Sequence, residues 1–151
     1  MYEYWYEKEG GALLELEKES YFRFLREFCR EGATLRFLFD REHRFCVQIA
    51  LPVQMEPGEP WRTFHFHVQY QHDHPGRDQS GLFGGSIRIY VMDRLKPGFH
   101  HLVKDEEGRK FLCQVRETDS AAVNGYNAMK RVLRWIEVYC IWEKTGRDID
   151  R

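Results

Sequence analysis

Apolar residues at every second position, in four short runs, constrain this chain more than any other feature of it. Leu35, Phe37 and Phe39 fall on one side of an extended segment, and Phe45, Val47, Ile49 and Leu51 on one side of the next. Phe64, Phe66, Val68 and Tyr70 repeat the pattern, as do Ile87, Ile89 and Val91. Successive side chains of a strand point to opposite faces, so each run defines a strand with one face to bury. A turn at Asp40 to His43 makes the first two a hairpin. Pro52, Pro57, Gly58 and Pro60 make the next connection turn-rich, because proline cannot donate to a ladder. The expected centre is a four-stranded antiparallel meander with one apolar face.

Helical periodicity flanks these strands. Leu13, Leu16, Phe24, Leu25 and Phe28 recur between Ala12 and about Arg30 as the inner stripe of a first helix closed by Gly32. Val132, Leu133, Ile136, Tyr139 and Cys140 form the stripe of a long last helix, capped by Asp119 or Ser120 and ending near Lys144 before Gly146. Helices segregated from strands indicate α+β architecture. With no repeat, low-complexity tract or linker, residues 1–151 are expected to form one domain. Gln71 to Gly85 is polar and rich in Gly, Asp and His, as expected of an exposed loop that meets a partner. Asp93 to Leu112 lacks clean periodicity, is punctuated by Pro97, Gly98 and Gly108, and is expected to be irregular.

Charge narrows the function. The chain holds 23 basic and 24 acidic side chains, a formal net charge of -1, and so lacks the field that draws proteins to nucleic acid or anionic lipid. No run approaches the ~18 apolar residues of a membrane span, and the acidic, aromatic N-terminus is unlike a signal peptide. A cytoplasmic protein with neither a nucleic-acid nor a membrane partner is expected.

Cys29, Cys46, Cys113 and Cys140 stand far apart, unlike a zinc site or a disulfide framework. Cys29 and Cys140 belong to the helical stripes and read as small core hydrophobes. Cys46 shares its strand face with Gln48 and Ala50, which predicts a partly solvent-facing structural thiol. Cys113 differs, because it ends the irregular stretch, where a thiol can be exposed. Positive charge favours the reactive thiolate, and Lys104, Arg109, Lys110 and Arg116 are the candidates to supply it.

One helix, a four-strand meander, a long segment leading to a cysteine, and a closing helix together resemble the layout of ubiquitin-conjugating enzymes over nearly the whole chain. In that family a His-Pro-Asn element shortly precedes a Gly-x-(Ile/Leu)-Cys active site, and here His100-His101 precede Gly108 and then Leu112-Cys113. The chain looks closer still to the bacterial conjugating-enzyme-like proteins of cyclic-oligonucleotide anti-phage defence systems. Trp135-Ile136-Glu137-Val138-Tyr139-Cys140-Ile141-Trp142 resembles their Trp-rich C-terminal helix. The resemblance implies that Cys113 accepts a protein C-terminal acyl group and passes it from the thioester to an amine. The donor it implies is a cGAS-like nucleotidyltransferase modified through its C-terminus. His101, and after it His100, would assist by acid–base or oxyanion chemistry. Asp105 would orient or deprotonate an incoming lysine, or serve only as a turn former. This sequence has no asparagine in the pre-cysteine segment, which leaves the family's side-chain oxyanion donor without a counterpart. It also has no glycine-rich phosphate loop, so no nucleotide cofactor is expected. Either a separate activating enzyme or an already activated acyl species must supply the thioester.

Two other readings stand beside this one. His65 and His67 alternate with Phe64, Phe66 and Val68 and share the outward face of a strand. With His72, His74, Asp73 and Asp78 nearby in sequence they form the candidate ligand set of a cupin-like metal site. The third reading is a catalytically silent adaptor of the same fold that uses the 71–85 loop to hold a partner.

Overall fold

The computed structural model describes residues 3–29, 31–75, 86–113 and 124–150. A 3-10 segment, Trp5–Gly11, leads into helix α1, Ala12–Phe28. Strands β1 (Thr34–Phe39), β2 (Phe45–Val53), β3 (Arg62–Tyr70), β4 (Ile87–Val91), β5 (Leu102–Lys104) and β6 (Lys110–Leu112) follow, and then helix α2, Gly125–Thr145. The strands pair antiparallel in one six-stranded sheet of order β1-β2-β3-β4-β6-β5. The α+β class expected from the sequence is the class observed. Among the described residues no helix is long and apolar enough to cross a membrane.

The alternating runs set the register. Phe37 lies opposite Val47, Ile49 opposite Phe66, and Phe66 opposite Val91, so the apolar sets of β1 to β4 share one face. Both helices cover that face. From α2 come Val132, Trp135, Ile136 and Tyr139, with the Trp135 ring edge-on to Phe64 and Phe66, and from α1 come Tyr21 and Phe24.

Several expectations need correction. The four-stranded meander is a six-stranded sheet, because the segment expected to be irregular contains the β5–β6 hairpin. Strands of three residues are too short for a period of two to register in a sequence. The inner stripe of α1 is rotated: Glu17, Tyr21 and Phe24 are buried, whereas Leu16 is 67% and Phe28 47% exposed. A carboxyl at the middle of the buried stripe is invisible to a search for apolar spacing. Asn124 caps α2, its side chain accepting from Asn127 N at 2.9 Å, and Asp119 and Ser120 lie outside the described residues. Cys46 is fully buried rather than partly solvent-facing, because Asp40 and Arg44 fold over it, the Sγ lying 3.8 Å from the Asp40 carboxyl.

Candidate active site

The segment before Cys113 is anchored by the aromatic residues of α2. Lys96 N donates to the Tyr139 hydroxyl at 2.8 Å, and Phe99 packs among Trp135, Tyr139 and Trp142 at centroid distances of 5.6, 5.1 and 5.1 Å. Gly98 has φ +98°, a conformation other residues rarely adopt, and turns the chain over the Trp142 ring. Trp135 Nε1 then donates to the His101 carbonyl at 3.0 Å. The Trp-rich helix therefore fixes the path of a segment that has no periodicity of its own.

Cys113 follows β6 directly and is half-buried, and its backbone N–H donates to the same His101 carbonyl at 3.2 Å. This bond continues the register in which Leu102 faces Leu112, so His101 and Cys113 are cross-strand partners. Directly opposed residues of an antiparallel ladder hold their Cβ atoms about 4.5–5.5 Å apart. The hairpin thus joins two residues twelve positions apart in sequence. His101 Nε2 lies 2.7 Å from Asp148 Oδ2 in the segment after α2, and the His101 ring is edge-on to Phe99. His100 is exposed.

Asp105 sits at the other end of the hairpin and holds its turn. Its Oδ1 accepts from the backbone of Glu107 and Arg109, both at 2.9 Å, and its Oδ2 from Arg109 Nε at 3.2 Å and the Tyr90 hydroxyl at 3.0 Å. Asp40, Glu42 and Arg44 repeat the Asp-x-Glu-x-Arg spacing and make the corresponding bonds in the β1–β2 turn. The fourth residue of each turn, His43 or Gly108, has positive φ. The turn-forming role thus accounts for Asp105, which the hairpin keeps apart from Cys113. Lys104 and Lys110 pair next to that turn, Arg109 is engaged by Asp105, and Arg116 lies outside the described residues.

Burial raises the pKa of Asp105, but the bonds from Arg109, Tyr90 and Glu107 outweigh it and hold the carboxyl below its usual range. A carboxyl depressed in the folded state stabilises fully above its unfolded pKa of about 4 and loses that effect as pH falls through the lower folded value. Asp105→Asn should therefore lower the melting temperature by a few degrees at pH 7. The deficit should close as the pH falls below the carboxylate range. Thermal unfolding of both proteins from pH 7 to pH 2 checks this, and a pH-independent difference would remove the charge from the explanation.

The other cysteines lie in packed surroundings. Burial, and next the Asp40 charge, push the Cys46 thiol up to about 12. Burial also raises Cys29 and Cys140, both packed against the core.

The histidines of the metal reading are dispersed. His65 Nδ1 meets Asp93 at 2.9 Å, His67 Nδ1 meets the Gln48 amide at 3.4 Å, and His72 Nε2 meets the Glu42 carbonyl at 2.8 Å. His74 is buried, between Ser86 Oγ at 3.2 Å and Glu17 at 3.6 Å. Asp73 is exposed and Asp78 lies outside the described residues. Among the described residues no three His, Cys, Asp or Glu side chains gather as a metal would require.

Sequence reading missed Asp148. It lies in no motif, and its one signal is Gly146, a left-handed helix stop that turns the chain away from α2. Comparison with protein-family models, with characterised proteins and with solved structures gives no match.

Proposed function

We propose that this chain is a conjugating-type acyl transferase that carries a protein C-terminal acyl group as a thioester on Cys113. The observation that carries the proposal is the pairing of a half-buried Cys113 with His101 across the β5–β6 hairpin. In the first step Sγ attacks the carbonyl carbon of an activated acyl donor. A C–S bond forms, the donor's leaving group departs, and the thiol proton passes to a base. In the second step an amine attacks the thioester carbon, a C–N bond forms, and sulfur leaves as thiolate. A thioester divides one difficult acyl transfer into two easier ones. His101 is the acid–base group of this scheme and His100 its alternative.

The resemblance in sequence extends the proposal to partners. The donor is then the C-terminus of a cGAS-like nucleotidyltransferase in bacterial anti-phage defence, activated by a separate enzyme. Incubation with that activated protein should give an adduct cleaved by reducing agent and lost in Cys113→Ala. An adduct that persists in Cys113→Ala ends the proposal. Tight binding of the donor without an adduct would make the chain an adaptor, and stoichiometric metal lost in His65→Ala and His67→Ala would restore the metal reading.

A further inference from the structure

We infer that Asp148 is the positioning residue of His101, fixing the imidazole tautomer so that Nδ1 is the nitrogen that exchanges protons at Cys113. The inference rests on the thioester reading of Cys113 and adds to it a member that the chain supplies from beyond its last helix.

His101 is approached from four elements. Asp148 Oδ2, in the C-terminal segment, lies 2.7 Å from Nε2, a distance at which an imidazole N–H donates to a carboxylate. Phe99, in the segment before β5, sets its ring against the imidazole at 5.3 Å. Trp135, on α2, holds the His101 backbone through the indole N–H, and Cys113 faces His101 from the end of β6. Asp148 itself is three-quarters or more buried, its side chain being 13% exposed, and so is held rather than swinging in solvent. Arg134 Nη2 bonds Asp150 at 3.2 Å, and Asp150 N donates to Asp148 Oδ1 at 2.9 Å, which ties the segment back to α2.

A carboxylate on one imidazole nitrogen places the proton there and leaves the other nitrogen with its lone pair. With the proton on Nε2, Nδ1 takes a proton when the thiol or the incoming amine loses one. The carboxylate then stabilises the imidazolium until the proton leaves to solvent or to the leaving group. No oxidant or metal is needed, and the carboxylate keeps its charge throughout.

The test uses the full chain with a glycyl thioester of 2-mercaptoethanesulfonate as acyl donor and free lysine as acceptor. Asp148→Ala is expected to load Cys113 and to pass the acyl group on, each about 10–100-fold more slowly, with recovery in Asp148→Glu. Nitrogen-15 imidazole spectra give a readout that a merely structural role would not move. His101 should be protonated at Nε2 in the native protein and a mixture of tautomers in Asp148→Ala and Asp148→Asn. Transfer at the native rate in Asp148→Ala, or an unchanged tautomer in both variants, overturns the inference. Loss of the adduct in Cys113→Ala shows independently whether the thioester reading stands. If Asp148→Ala fails to fold, the same spectra and rates are read from Asp148→Asn.

Discussion

Gly125→Ala should cost about 3 kcal/mol or more, a fall of roughly 6–12 °C in melting temperature for a domain of this length. Gly125 opens α2 where that helix meets α1, and an added Cβ would lie 2.3 Å from Tyr21 Cε2, 2.6 Å from Tyr21 Cζ and 2.7 Å from Ser20 Oγ. Those atoms cannot yield cheaply. The Tyr21 ring is fully buried and its hydroxyl is bonded to that of Tyr70 at 2.8 Å, so relief requires the two helices to separate. Gly108→Ala is the control. It has φ +80° and no atom within 4 Å of the added Cβ, so only backbone strain of about 1 kcal/mol is expected. Thermal unfolding of the two variants side by side measures the difference. Equal losses would show that α1 and α2 do not approach so closely.

Glu17→Leu is expected to destabilise the protein by about 2–4 kcal/mol, although leucine is an apolar residue entering a buried position. The Glu17 carboxyl accepts from the Tyr70 hydroxyl at 2.5 Å and from Gly125 N at 3.0 Å, and lies 3.6 Å from His74 Nε2. It therefore joins α1, the end of β3 and the first turn of α2, where an acceptor also suits the positive end of the helix dipole. Burial, before any other cause, raises both Tyr21 and Tyr70 well above their usual range, so both remain neutral donors at physiological pH. Removing the acceptor strands a buried hydroxyl and a helix N-terminal amide. The double variant Glu17→Leu with Tyr70→Phe should lose less than the sum of the two single variants, because both changes break the same Tyr70–Glu17 bond, while the Tyr21 hydroxyl loses its Tyr70 partner in either Tyr70→Phe protein. Denaturant unfolding of the full cycle checks this, and strictly additive losses would rule out coupling through the buried network.

The parts of this molecule legible in its sequence are those governed by local repetition. The alternating runs Leu35 to Phe39, Phe45 to Leu51, Phe64 to Tyr70 and Ile87 to Val91 became β1 to β4 with the expected face toward the helices, although Phe39, at the end of the edge strand β1, is exposed. The stripe ending at Cys140 became α2, with Gly146 as its stop. Repetition works because a strand or helix repeats its own geometry every two or 3.6 residues, and a buried face must follow that period. Cys113 stands apart in the sequence because it ends a stretch without periodicity, yet that stretch holds the β5–β6 hairpin and Cys113 follows β6 directly.

Only the tertiary structure decided how distant residues meet. The β5–β6 hairpin is too short to show a period, and the indole and phenol of α2 that hold the path into it belong to a helix following Cys113 in sequence. The place of His101 before the cysteine makes it a candidate, whereas its partner Asp148 lies 47 residues further along the chain. Glu17 is one of several carboxyls of α1, and only folding sets it apart by bringing Tyr70 and Gly125 to it. Sequence patterns register the local rules that every residue of an element obeys. A hydrogen bond between remote side chains is a single contact that no neighbouring residue repeats, so it exists as information only once the chain has folded.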